Sequence, residues 1–332
     1  MSPRTLRAGV IGLGMMGRHH ARVLRSVDGV ELVGLADALG DPHGIANGTP
    51  VVRSVDELIA LGIDIAVVAV PTALHEEIGL VLAAAGVHAL IEKPVAVDER
   101  AAARLVEAFG SAGLVGAVGH IERYNPALRA LRTRLDAGEL GDVFQIATRR
   151  QGPFPARIAD VGVVKDLATH DIDATAWIAR SPYVHVGALA CTKSGRPHED
   201  LVTVTGQLAD GTVTSHLVNW LTPFKERLII VTGERGAFVA DTLHADLTFH
   251  ENGTVATAWD QVAAFRGVAE GASTRFAIEK REPLLVEHEA FRDAVLGRGD
   301  DIVTLAEGAR TVAVAEAIIR SARTRTAVAL AA

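Results

Sequence analysis

Cysteine is almost missing from this chain of 332 residues, where Cys191 is the only one. An intrachain disulfide is therefore impossible, and a structural zinc site built on cysteines is excluded with it. Positive charge is not in excess either. The 33 Lys and Arg stand against 40 Asp and Glu, a formal net charge of −7. That balance argues against nucleic acid, which needs a basic face, although a few local Arg or Lys can still serve one anionic ligand. Long apolar runs are absent too. The longest uncharged one, Ile78–Ile91, is broken by Gly79, Gly86 and His88 and falls short of the roughly 20 residues a membrane helix needs. Met1–Arg7 leads straight into a strand-like run with no apolar signal-peptide core before it. We expect a cytoplasmic protein, with neither membrane nor nucleic acid among its partners.

The length suits two domains, and a hydrophobic share of 49% is ordinary for a globular chain. The first third alternates short apolar runs with helical patterns, as parallel βαβ units do. Ala8–Ile11, Glu31–Ala36, Val51–Arg53, Ile63–Val70, Val87–Ile91 and Leu114–Gly119 read as strands. Helices are expected over Met15–Val27, Leu74–Ala85 and Glu99–Ser111. A short one should open on the capping box Ser54-Val55-Asp56-Glu57. After Pro126 the texture changes. One amphipathic helix is followed by period-2 runs at Val143–Arg150, Leu201–Leu208, Thr212–Trp220, Arg227–Val231, Ala237–Ala240 and Leu247–His250, with Asp210-Gly211 as a hairpin turn. Helices over Lys165–Ile178, Pro283–Leu296 and Leu305–Ala322 can cover one face of that sheet. The expected fold is α/β: a Rossmann domain with a doubly wound parallel sheet over 1–121, then an α+β domain with a mostly antiparallel sheet over 122–332. The second domain would carry substrate binding and oligomerisation, its other sheet face being free for oligomer contacts.

Gly12-Leu13-Gly14-Met15-Met16-Gly17 follows a strand and opens a helix, and Asp37 ends the next strand 20 residues beyond Gly17. In that setting Gly12 permits a tight turn. Gly14 lets backbone N–H groups approach a pyrophosphate, and Gly17 lets helix pack on strand. Asp37 would accept hydrogen bonds from the ribose hydroxyls of an adenosine. A 2′-phosphate would meet its carboxylate there, so NAD is favoured over NADP, with Arg18 the neighbour able to receive a phosphate.

Glu92-Lys93-Pro94 comes directly after an apolar strand, at the edge where open α/β sheets hold ligands. A lysine there can hydrogen-bond a substrate hydroxyl; the plain alternative is a solvated loop lysine before a proline turn. Asp166, His170 and Asp173 are spaced by four and three, which on one helix puts them on one face. His170 can take a hydroxyl proton, and Asp166 can stabilise the imidazolium that results. The alternative is an exposed Asp–His pair. Nothing completes a ligand set for a metal, so none is expected. His19 and His20 read as solvent-facing or helix-packing residues.

Taken together, Val10–Gly17, the Pro71…His75 segment, Glu92-Lys93-Pro94 and Asp166…His170…Asp173 resemble the glucose–fructose oxidoreductase, inositol dehydrogenase and rhizopine-catabolism (Gfo/Idh/MocA) family. Val231–Gly236 and Leu305-Ala306-Glu307-Gly308 extend the likeness over nearly the whole chain. The resemblance implies Lys93, Asp166 and His170 as the catalytic set, with His170 as acid–base and Lys93 touching the substrate hydroxyl and the nicotinamide side. It implies that Gly12, Gly14, Met15, Met16, Gly17, Asp37, Pro71, Thr72, His75, Glu92, Lys93 and His120 meet the cofactor, and that a cis peptide precedes Pro94. Ala168, where many members have Gly, and Val163-Val164-Lys165, where a glycine-rich lead is common, depart from the pattern.

Gly119-His120-Ile121-Glu122-Arg123-Tyr124-Asn125-Pro126 is similar, more narrowly, to a stretch in members that oxidise UDP-N-acetylglucosamine at the 3-hydroxyl. On that resemblance Arg123, Tyr124, Lys165 and Lys225, beside Lys93, Asp166 and His170, are expected substrate contacts. Tyr124 or Trp220 would offer a platform for a base. The implied protein is a homodimer or homotetramer that oxidises a sugar or nucleotide-sugar hydroxyl with NAD. An inositol or free-sugar dehydrogenase is the runner-up. A non-catalytic dinucleotide sensor has no use for the Lys, Asp and His, and a methyltransferase explains neither Glu92-Lys93-Pro94 nor the Asp–His segment.

Overall fold

A computed structural model describes residues 4–155, 161–253 and 270–330. The chain divides into two compact units, Met1–Ile121 with Arg281–Ala313, and Glu122–Lys280 with Val314–Ala332.

In the first unit the described residues form a six-stranded parallel sheet. Its strands are β1 (Leu6–Ile11), β2 (Val30–Ala36), β3 (Val51–Val52), β4 (Ile65–Val68), β5 (His88–Glu92) and β6 (Gly116–Gly119), in the order β3-β2-β1-β4-β5-β6. Every residue of β4 is buried, as a strand covered on both faces requires. The order reverses between β1 and β4, and such a switch point is where doubly wound sheets take up ligands. The helices are α1 (Met15–Leu24), α2 (Val55–Ala60), α3 (His75–Ala84) and α4 (Glu99–Ser111). Ser54 caps α2 by accepting the Glu57 N–H at 3.2 Å, while the Glu57 carboxylate accepts from Arg53, one residue before the partner a capping box would use. Asp98 caps α4 through the Ala101 N–H at 2.8 Å.

Residues 281–313, which the sequence pattern assigned to the second domain, belong to the first unit. The reason is apolar burial. A helix over Pro283–Val295, later in the chain than its sheet partners, packs Leu284 against Val23 of α1 and Val27 just beyond it, and sets Phe291 among Leu6, Val10 and Leu24. Downstream, Val303 accepts the Val118 N–H at 2.8 Å and Thr304 bridges to Ala117, so the returning chain lines β6.

The second unit begins with α5 (Pro126–Asp136), capped by Asn125. Its sheet contains β7 (Val143–Pro153), β8 (Tyr183–Cys191), β9 (Leu201–Leu208), β10 (Val213–Asn219), β11 (Leu221–Gly233), β12 (Gly236–Asp241), β13 (Asp246–Asn252), β14 (Glu270–Arg275) and β15 (Val328–Ala329). Among the described residues the order is β14-β13-β12-β11-β7-β10-β9-β8-β15, antiparallel except where β10 meets β7. β8 is a strand the period-2 reading did not contain; Gly187, Ala188 and Ala190 dilute its pattern. One face is covered by α6 (Thr169–Ala179) and by the second half of the chain's last long helix, through Ile172, Val218, Trp220, Ala315 and Ile318. With the helix over Pro283–Val295 taken as α7, that last helix is α8 (Leu305–Thr324).

The expected single helix over 165–178 is two pieces. Val164–Ala168 is wound as a π-helix and only Thr169–Ala179 as α. Glu199 anchors the wide turn: its side chain accepts the Val164 N–H at 3.1 Å, and its carbonyl accepts that of Val163 at 3.0 Å. A π turn advances more residues per revolution than an α turn. The four-residue step from Asp166 to His170 is therefore not the regular α-helical step that spacing implied.

Among the described residues, no helix is long and apolar enough to cross a membrane. No cluster of His, Cys, Asp and Glu among them is arranged to hold a metal ion.

Candidate active site

The glycine loop leaves β1 at the switch point. Gly12 has φ +89, and a Cβ on it would lie 2.6 Å from the Ala69 carbonyl oxygen. A Cβ on Gly17 would lie 1.8 Å from the Gly12 carbonyl oxygen, so helix and loop touch only because no side chain intervenes. Gly14 differs: nothing stands within 4 Å of the Cβ it lacks. Gly14 also heads α1 without any side-chain cap. The first-turn N–H groups of Met15, Met16 and Gly17 have no intrahelical acceptor, and their partial positive charge suits an anion. Met15 is 48% exposed beside them. An uncapped helix end with open space over its glycine has room for an anion.

Asp37 closes the other side of the loop. Its carboxylate accepts the Leu13 N–H at 2.7 Å and the Leu39 N–H at 2.8 Å, and it remains only half-buried. The two bonds hold this acceptor side chain at the end of β2. At the end of β4, Pro71 is exposed and Thr72 is half-buried. His75 is buried, its Nδ1 3.0 Å from the Pro94 carbonyl and its Nε2 3.0 Å from the Val70 carbonyl. The ring therefore ties the loop after β4 to the loop after β5, and burial lowers its pKa. His120 is buried at the end of β6.

Glu92 ends β5, and the Lys93–Pro94 peptide that follows is cis. Lys93 is half-buried. The Glu92 carboxylate is turned inward. Oε1 accepts from His20 Nε2 at 2.8 Å, and Oε2 accepts the Lys93 backbone N–H at 3.1 Å. Burial opposes its ionisation, but the bond and charge of His20 and the charge of Lys93 outweigh that and hold its pKa below the ordinary value. Of the two readings its position allowed, solvent-facing or helix-packing, His20 takes the second: it is completely buried, and its Nδ1 lies 2.9 Å from His288 Nε2 of α7. Burial, reinforced by His20, pushes the His288 pKa well down. Burial and the Glu92 charge push that of neighbouring Glu287 well up. Sequence reasoning missed this cluster; only the position of His20 after the glycine turn hinted at it.

In the second unit, Asp166 is buried within the π turn and His170 is half-buried in the first turn of α6. The helix that carries His170 is held from beneath by ion pairs. Asp171 accepts from Arg150 Nε at 2.9 Å, and Arg150 also reaches Glu122 at 2.8 Å. Burial disfavours the Arg150 charge, yet the two carboxylates raise its pKa above the ordinary value. Asp173 takes both arms of the Arg123 fork at 2.7 and 2.8 Å. Arg123, expected at the substrate, is thus buried against α6. Tyr124 is buried as well, with the Arg129 guanidinium 5.3 Å over its ring. Trp220 is buried too, its indole covered by Arg196 at 4.9 Å, so it presents no open platform for a base. Lys165 is half-buried in the π turn, and Lys225 is exposed on β11.

A parallel sheet with an anion cradle at its switch point, an acidic residue closing that cradle and a lysine at a neighbouring strand end define a nicotinamide-dinucleotide oxidoreductase. The chain belongs to the Gfo/Idh/MocA oxidoreductase family. The family model described as the oxidoreductase family's NAD-binding Rossmann fold matches residues 6–120, and that described as its C-terminal alpha/beta domain matches residues 132–330. A UDP-N-acetylglucosamine 3-dehydrogenase from Acidithiobacillus ferrooxidans is 30% identical over 293 residues, 87% of this chain and 88% of that protein. Inositol 2-dehydrogenase 4 from Saccharopolyspora erythraea is 30% identical over 221 residues, 61% of this chain and 64% of that one. The solved structure of UDP-N-acetylglucosamine 3-dehydrogenase GnnA from Acidithiobacillus ferrooxidans superposes with a TM-score of 0.85 at 27% identity, covering 96% of this chain and 98% of that one.

Proposed function

We propose that this oxidoreductase is a cytoplasmic sugar dehydrogenase that oxidises a secondary hydroxyl, the 3-hydroxyl of a UDP-N-acetylhexosamine, to a ketone. The observation that carries the substrate is likeness over 87% of the chain to a UDP-N-acetylglucosamine 3-dehydrogenase. NAD, when bound, supplies the hydride acceptor. The first-turn N–H groups of Met15, Met16 and Gly17 hold its diphosphate and Asp37 its ribose hydroxyls, with Pro71 and Thr72 beside it. His170 takes the hydroxyl proton. Asp166 steadies the charged imidazole, and the Lys93 ammonium donates to the hydroxyl oxygen and favours its ionised form. Lys165 and Lys225 are the cations we assign to the substrate's phosphates.

The protein acts as a homodimer or homotetramer. The sheet face away from α6 presents Leu189, Val213 and Leu217 among Thr203, Thr205 and Ser215, and Leu189 is 68% exposed and Val213 48%. Light scattering behind a sizing column checks this; a monomer would refute it.

The functional test follows reduced-nicotinamide formation with NAD or NADP, after copurifying cofactor has been quantified, on UDP-N-acetylglucosamine, UDP-glucose, myo-inositol and glucose. Turnover confined to the UDP-sugars is expected. His170→Ala and Lys93→Met should each lower kcat by about 100-fold or more. The inositol 2-dehydrogenases among the relatives favour one second reading, and turnover on myo-inositol alone would establish it.

A further inference from the structure

The buried cluster behind β5 has more polar groups than packing needs. His20 has no exposed surface, and Glu287 and His288 are each 1% exposed and Glu92 8%. An ionised carboxylate in such a place is costly, and apolar side chains of similar volume would hold the helices at least as well. Its placement is specific. Both oxygens of Glu92 are engaged, one by His20 and the other by the N–H of the next residue, Lys93. Across the sheet, Gly119 leaves room for it: a Cβ there would come within 3.2 Å of the Glu92 carboxyl. Behind His20 stands His288, and beside that Glu287, whose carboxyl oxygens are buried without a hydrogen-bond partner. On the far side of Lys93, His75 holds the Pro94 carbonyl.

We propose that His20, acting through Glu92, is a positioning residue for Lys93: it fixes the carboxylate that holds the Lys93 backbone N–H, and so the direction from which the ammonium approaches the substrate. This rests on the reading of Lys93 as the hydroxyl contact. His20 does not itself touch the substrate. His288 keeps its ring in the one orientation that meets Glu92.

Two amides of like chemistry and different reach separate this role from plain packing. In His20→Gln the amide nitrogen stands near the place of Nε2 and reaches Glu92. In His20→Asn the amide stands near Nδ1 and reaches only the His288 side. The first readout needs no substrate: backbone amide exchange at Lys93 should quicken about tenfold in His20→Asn and stay near wild type in His20→Gln. The second is turnover of UDP-N-acetylglucosamine with NAD. There kcat should fall about 100-fold in His20→Asn, with KM and NADH affinity within about threefold, and His20→Gln should recover most of it. If His20→Asn does not fold, His20→Ala replaces it, with the same losses expected. Equal exchange at Lys93 in the Asn and Gln variants overturns the proposal. So does wild-type kcat in His20→Asn while Lys93→Met is inactive. Wild-type kcat in Lys93→Met would instead overturn the reading of Lys93, and the exchange comparison would still decide whether His20 holds its backbone.

Discussion

Gly14 and Gly17 lie three residues apart in one motif, yet alanine at the two positions should fail in different ways. At Gly17 the new methyl would stand 1.8 Å from the Gly12 carbonyl oxygen, so α1 and the loop would have to part by more than 1 Å. A backbone atom cannot rotate aside, which places the cost near the upper end of overpacking penalties, about 3 kcal/mol. At Gly14 the methyl meets nothing within 4 Å, and φ is −71. Stability there should stay within about 1 kcal/mol of wild type, since alanine accepts such a backbone and restricts the unfolded chain. The methyl does occupy the approach to the first-turn N–H groups. Losing one hydrogen bond to a charged phosphate is worth about 1.5–3 kcal/mol, roughly 10- to 100-fold in the Kd of NADH. Urea unfolding of the cofactor-free protein and titration of NADH fluorescence measure the two effects separately. Gly14→Ala should unfold like wild type and bind weakly, whereas Gly17→Ala should unfold early. Wild-type NADH affinity in Gly14→Ala, or wild-type stability in Gly17→Ala, would refute the assignment of the cradle to this helix end.

Asp171→Ala removes one carboxylate from buried Arg150 and should cost about 3–5 kcal/mol in urea unfolding; a loss below about 1 kcal/mol would show that Glu122 alone satisfies that guanidinium. His216 is buried between Thr148 and Tyr183, and burial lowers its pKa from 6.5 to about 4. The unfolded chain therefore takes up this proton first as pH falls. The contribution of His216 is fully present above pH 6.5 and is lost as pH drops through about 4, a change of roughly 3 kcal/mol. Unfolding free energies of wild type and His216→Gln should converge as the pH falls through that window, and parallel curves would count against this burial.

Much of the first unit was legible because its signals are local. A buried strand, a tight glycine turn and a helix start occupy consecutive residues, and the roles expected of Gly12, Gly14, Gly17 and Asp37 were read from that order. Period-2 texture likewise exposed most of the second sheet. It failed at β8, where glycine and alanine weaken the alternation. It could not supply the π turn at Val164–Ala168 either, because the anchor of that turn, Glu199, lies 35 residues from Val164.

What the sequence determined by itself was the class of chemistry: which residue types stand at strand ends and in what order. Which of those side chains are held inward was decided only by tertiary structure. Arg123 looked like a cation for a substrate and is bound to Asp173, 50 residues on. His20 could have faced solvent or packed on a helix, and its partner, His288, lies 268 residues away. The segment 281–313 looked like part of the second domain and returns to the first. No periodicity carries such pairings, since they depend on where an apolar face such as that of α7 finds its partner, and burial then drives most polar groups nearby to find one of their own.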